Sequence, residues 1–131
     1  MEPHSFTFRV YYEDTDFAGI VYYANYLKFI ERARSEWVRS LGIDQSRLRV
    51  EDGVVFAVRR VEADYLSPAV FDDQLTVLTT LAECTGARLF LDQSVLRGPK
   101  ALFAARVTLV CLTANGRASR LPAALLRAIK A

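Results

Sequence analysis

The chain has 131 residues, 52% of them apolar and 24% charged, with 6 Gly and 4 Pro, which excludes disordered and collagen-like chains. Seventeen Lys and Arg stand against fifteen Asp and Glu, and a net charge of +2 is too small for a protein that grips nucleic-acid phosphates. No run approaches the roughly 18 apolar residues of a membrane span, and the start lacks the basic-then-apolar order of a signal peptide, so one cytoplasmic domain over 1–131 is expected.

From Ser5 to Tyr12, Phe6, Phe8 and Val10 alternate with Thr7, Arg9 and Tyr11, the period of a half-buried strand. Glu13, Asp14, Thr15 and Asp16 break the alternation with side chains suited to turns, and Gly19 supplies backbone freedom in the loop that follows. Over residues 24–41 the period becomes helical: Tyr26, Ile30, Ala33, Trp37 and Leu41 recur at spacings of three and four. Lys28, Glu31, Arg32, Ser35 and Arg39 take the opposite side, Asn25 stands where an N-cap would, and Gly42 stands where helices stop.

A polar connection leads to four β segments at 54–66, 74–82, 88–96 and 101–112. The turns between them carry Ser67-Pro68, Thr85-Gly86 and Gly98-Pro99, and a terminal helix is expected over 122–130. Short turns imply antiparallel neighbours, and a lone amphipathic helix needs one sheet face to cover. The expected fold is therefore α+β, a curved antiparallel sheet of about five strands around one long helix. Its uncovered edges favour a homo-oligomer.

Residue arithmetic removes several chemistries. The single histidine, His4, stands near the N-terminus, so triads built on imidazole have no support. Cys84 and Cys111 are too far apart for paired metal ligands and read as small core hydrophobes in a reducing compartment, so no metal site is expected. Neither Gly-rich phosphate-binding signature occurs, and no cofactor is called for. A carboxylate is left to do any chemistry.

Asp14 and Asp16 precede the helix, and for either one alone capping a turn is the plainer role. Asp16, however, stands nine residues before Asn25, too far to cap the helix, and Ile20, Val21, Tyr22 and Tyr23 between them can line a dry pocket. A carboxylate facing helix N–H groups across such a pocket suits attack on a carbonyl, the N–H groups polarising its oxygen.

The run Tyr11-Tyr12-Glu13-Asp14-Thr15-Asp16, continued by Gly19, Val21, Tyr22, Tyr23, Ala24 and Tyr26, resembles the signature of hotdog-fold acyl-CoA thioesterases. It is most similar to the 4-hydroxybenzoyl-CoA thioesterase and YbgC-type branch. Phe29–Arg34, Val58–Arg60, Tyr65–Ala69 and Asp72-Asp73 extend the likeness over most of the chain. The resemblance implies hydrolysis of acyl-CoA to acid and CoA, with Asp16 as nucleophile or general base and the Tyr23 backbone N–H on the thioester oxygen. YbgC-type members usually have His at that position, so an acid–base role for its side chain is absent here. The resemblance also places Tyr12 and Gly19 at the substrate and leaves Arg88 as the basic residue in the turn that meets CoA phosphates. It further implies a homodimer or homotetramer and a link to the Tol–Pal system of the cell envelope. The competing expectation is a non-catalytic hotdog module that binds an acyl thioester or a partner protein, from which Asp16→Asn separates the enzyme.

Overall fold

Alternation drives the first element: Phe6 and Phe8 turn inward along β1, His4–Arg9, in the computed structural model, which describes residues 1–130. The strand is shorter than the alternation to Tyr12 suggested. The Asp14 carboxylate accepts from the Tyr11 N–H at 2.8 Å, and this side-chain bond starts a 3-10 turn over Tyr12–Asp14 instead of further pairing.

Helix α1, Asn25–Ser40, buries Tyr26, Phe29, Ile30, Ala33, Trp37 and Val38, the 3.6-residue stripe. It ends where its Val38 and Arg39 carbonyls take the N–H groups of Leu41 and Gly42, and Gly42 sits at φ +82°. The polar connection holds more structure than its composition suggested. Asp44 accepts from Ser46 and Arg47 N–H and caps the short α2, Gln45–Arg47, which runs on into a wider helical turn over Leu48–Asp52.

The remaining strands are β2 (Val54–Tyr65), β3 (Gln74–Cys84), β4 (Arg88–Arg97), β5 (Lys100–Thr113) and a two-residue β6 (Ala118–Ser119), followed by α3, Ala123–Lys130. They form one antiparallel sheet in the order β1-β3-β4-β5-β2, with β6 on β5, so the expected five strands gain a short sixth. Inward residues Leu75 and Val77 of β3, Leu89, Leu91 and Val95 of β4, and Phe103, Val107 and Cys111 of β5 meet the apolar stripe of α1. Strands β1 and β2 are the two edges of this order. A bulge at Arg59 shifts the β2–β5 register, which bends the long edge strand.

One polar side chain sits on the inward row of β4. Gln93 is fully buried, donates to the Ile30 carbonyl of α1 and to Thr79 Oγ1 at 2.9 Å each, and accepts from Arg34 Nη1 at 3.1 Å. Apolar contact is therefore supplemented by a directional tie between helix and sheet.

Candidate active site

The acidic loop is built as a small hairpin. Asp16 N–H donates to the Ile20 carbonyl at 2.9 Å, Gly19 N–H donates to the Asp16 carbonyl at 3.0 Å, and Thr15 pairs with Val21. Gly19 closes this turn at φ +83°, a conformation a side chain resists. Asp16 is half-buried, and its Oδ1 accepts from the Ala18 N–H at 2.9 Å. That bond is the turn-capping role open to any aspartate here, and it occupies one oxygen. Among the described residues Asp16 Oδ2 has no partner.

The hairpin is docked on the segment after β2. Val21 N–H donates to the Ala69 carbonyl at 2.9 Å, Ile20 pairs with Val70, and the Ala69 N–H donates to the buried Tyr26 hydroxyl at 3.1 Å. Asp73 holds this segment from below, accepting from Val70 N–H at 3.0 Å and from Arg97 Nη1 at 2.8 Å. Arg9 similarly reaches the Asp72 carbonyl and carboxylate, and Asp72 holds a left-handed φ of 74°.

At the helix entrance, Asn25 N–H donates to the Tyr22 carbonyl at 2.8 Å. The Tyr22–Tyr23 peptide is planar and trans, so its N–H points opposite to that carbonyl, back out of the helix. Among the described residues the Tyr23 N–H has no acceptor. On the other side of the residue, the Tyr65 hydroxyl donates to the Tyr23 carbonyl at 2.8 Å. Burial, followed by the neighbouring Tyr23 and Tyr26, raises the Tyr65 phenol above its ordinary value, and burial does the same for Tyr26. Both hydroxyls stay protonated at neutral pH, Tyr65 donating to the Tyr23 carbonyl and Tyr26 accepting from the Ala69 N–H.

Beside this entrance lies a cavity of about 330 Å³ lined by Ile20, Val21, Tyr23, Tyr26, Tyr65, Leu66, Ser67 and Pro68. Its aromatic wall is continuous: the Tyr65 ring stands 5.5 Å from Tyr26 and 5.1 Å from Phe103, and Tyr26 stacks on Phe103 at 5.0 Å. Ile20 and Val21, two of its walls, are the residues that pair with the 69–70 segment, so the hairpin of Asp16 and the cavity share one strand of chain. Asp16 itself does not line the cavity.

Tyr12 and Arg88 do not join this group within one chain. Tyr12 is 83% exposed on the 3-10 turn, with its ring edge-on to Phe71 at 6.5 Å, and does not line the cavity. Arg88 opens β4, a ten-residue strand about 30 Å long, whereas Arg97 closes it and reaches the Pro68 carbonyl at the cavity rim. Asn25 is also not the expected cap. The cap position is Ala24, with no side-chain bond, and the Asn25 amide reaches back to the Asp14 carbonyl at 2.9 Å. Asn25 and Tyr65 therefore support the site in ways sequence reading missed, because their side chains bond backbone carbonyls brought near only by folding, and Asp73 does so through the local Val70 N–H and the distant Arg97 side chain.

The model of the thioesterase-like superfamily matches residues 10–129. The acyl-CoA thioesterase YbgC of Haemophilus influenzae is 43% identical over 108 residues, 82% of this chain and 79% of that protein. The crystal structure of a probable thioesterase from Bartonella henselae superposes with a TM-score of 0.88 at 40% identity, covering 92% of this chain and 99% of that one. A 4-hydroxybenzoyl-CoA thioesterase mutant solved with 4-hydroxybenzoyl-CoA shares the fold at 24% identity, with a TM-score of 0.90 over 98% of this chain and 99% of that one. A sheet of this order around one long helix, matched along nearly its whole length by these sequences and structures, belongs to the thioesterase-like superfamily and has its hotdog fold.

Proposed function

We propose that the chain hydrolyses acyl-CoA thioesters, with Asp16 attacking the carbonyl or activating water and the Tyr23 N–H polarising the carbonyl oxygen. The observation that carries this reading is that two groups on one short stretch of chain are left without partners. Asp16 Oδ2 and the Tyr23 N–H are both without partners among the described residues, and the chain between them walls an apolar cavity through Ile20 and Val21. An N–H held in place before reaction stabilises the developing oxyanion without reorganisation. The name of the YbgC relative, an acyl-CoA thioesterase, supports the substrate class.

Either route balances. As nucleophile, Asp16 Oδ2 bonds to the acyl carbon, the C–S bond breaks, CoA leaves as thiolate, and water hydrolyses the acyl-aspartyl anhydride. As base, Asp16 takes a proton from water, the hydroxyl adds to the carbon, and the same C–S bond breaks with the proton passing to the leaving sulfur.

The reading extends to assembly. Edge strand β2 exposes Val55, Val58 and Val61, and the acidic loop exposes Tyr11, Tyr12 and Phe17. Covering this apolar surface with further copies gives a homodimer or homotetramer. Tyr12 and Arg88 meet substrate only at a site completed by another copy, Gly19 acts through its turn, and Arg97 is a cation at the cavity rim, on the Pro68 carbonyl. The two cysteines are unpaired, which suits the reducing cytoplasm, and among the described residues no helix is long and apolar enough to cross a membrane. The Tol–Pal link rests on resemblance alone.

A release assay over aromatic and aliphatic acyl-CoA thioesters, following free thiol, tests the reading. At least one is expected to be hydrolysed, and no release from any of them sinks it. Tyr23→Phe is expected to keep the rate within about threefold, because the working donor is main-chain and the phenol takes no part. A loss of a hundredfold in that variant would instead assign the chemistry to the Tyr23 hydroxyl.

A further inference from the structure

We propose that Asn25 is a positioning residue that holds the loop of Asp16 and the Tyr23 N–H in one fixed relation; this rests on the catalytic reading above. Its two nitrogens work on the two halves of the site. The main-chain N–H donates to the Tyr22 carbonyl at 2.8 Å, and because that carbonyl shares a planar peptide with the Tyr23 N–H, the bond sets where that N–H points. The side-chain Nδ2 donates to the Asp14 carbonyl at 2.9 Å, two residues before Asp16. The same carbonyl also accepts from the Tyr22 N–H at 2.9 Å, so both of its lone pairs bind the acidic loop to the helix entrance.

Helix stability does not explain this side chain. Asn25 is the first residue of α1, its amide caps nothing in the helix, and asparagine is a poorer helix former than alanine. Only 9% of Asn25 is exposed, so its amide is committed to the one contact it makes across eleven residues. Backbone bonds also hold the hairpin, through Thr15–Val21, Val21–Ala69, Ile20–Val70 and Tyr22–Asp14, and the Asn25–Asp14 bond adds a side-chain tie from the helix to the residue two before Asp16. A reacting group displaced by about 1 Å loses rate by as much as a hundredfold without losing its binding surface.

Two variants and a double variant test the assignment with the acyl-CoA that the wild type hydrolyses fastest. Asn25→Asp keeps the shape, suits a helix start, and replaces the donor with a carboxylate facing a carbonyl. Asn25→Ala removes the side chain. In both, kcat is expected to fall about tenfold or more while KM stays within about threefold. The Asn25→Asp rate, as a ratio to wild type at each pH, is expected to rise from about pH 8 to about pH 5, because protonation of a desolvated carboxyl restores a donor toward Asp14. In an Asp16→Asn background, Asn25→Asp is expected to change the residual rate by less than about twofold, since the relation of the position-16 carboxylate to the Tyr23 N–H no longer sets the rate.

Overturning results are distinct. A near-wild-type kcat in both Asn25 variants, alongside an inactive Asp16→Asn, sinks the role of Asn25 and leaves the catalytic reading standing. Loss through KM alone, or multiplying effects in the double variant, does the same. Failure of both Asn25 variants to fold makes the residue a folding determinant and ends the proposal. A wild-type rate in Asp16→Asn ends both readings together.

Discussion

Asp16→Asn is expected to lower kcat for acyl-CoA hydrolysis about a thousandfold or more, a loss of about 4 kcal/mol of transition-state stabilisation, while fold and assembly stay unchanged. Asparagine is the informative replacement because it conserves everything but the chemistry. Its Oδ1 still accepts from the Ala18 N–H, so the turn closed by Gly19 survives. Only the position of Oδ2, which has no partner among the described residues, changes from an anionic oxygen to an amide nitrogen with no nucleophilic pair. Alanine would also remove the turn bond and confuse chemistry with loop geometry. Matching melting curves and elution volumes, set beside thiol-release rates, check the result. A rate within tenfold of wild type transfers the chemistry to another group and makes Asp16 a turn residue.

How much of this was legible beforehand depended on the range of the forces involved. Helix α1 was readable because Tyr26, Ile30, Ala33 and Trp37 carry their own period and the core they face is generic. The sheet was readable from its turns, since Ser67-Pro68, Thr85-Gly86 and Gly98-Pro99 separate segments of strand length. β1 was overextended because Tyr11 and Tyr12 continue a pattern that one carboxylate, Asp14, interrupts by taking a backbone N–H. The turns over 45–52 escaped because the Asp44 cap signal is only a few residues long.

At the site, the acidic loop and the helix entrance stood out from composition and spacing, whereas their tie did not. Asn25 before an apolar period reads as a cap, and only folding brings the Asp14 carbonyl within its reach. Arg88 raises a related point: a turn position known by resemblance does not say which end of a strand of about 30 Å lies by the cavity within one chain. Gln93 carried no signal at all, since an isolated glutamine on a strand is ordinarily a solvent-facing residue.

Gln93→Leu is expected to cost about 2–4 kcal/mol in stability, measured by urea unfolding, despite adding an apolar side chain to an apolar row. The cost comes from what is left behind. Thr79 Oγ1 loses a donor, and the half-buried Arg34 guanidinium loses the carbonyl oxygen it meets at 3.1 Å. Burial already lowers the pKa of Arg34 from its ordinary value, a sign that its charge is poorly solvated; nearby Glu31 offsets only part of this. Arginine cannot escape by losing its proton at any ordinary pH, so the penalty stays. Adding Arg34→Met to Gln93→Leu is therefore expected to recover at least about half of the loss, because the orphaned charge is gone and the helix–sheet contact becomes apolar. Additive losses in the double variant would show instead that the guanidinium is solvated and that Gln93 acts through Ile30 and Thr79. No bond of Gln93 touches the 14–23 loop, so kcat/KM of folded Gln93→Leu is expected within about threefold of wild type even as its unfolding midpoint falls. A stability loss that leaves turnover intact separates the device that seats the helix from the groups proposed to act at its entrance.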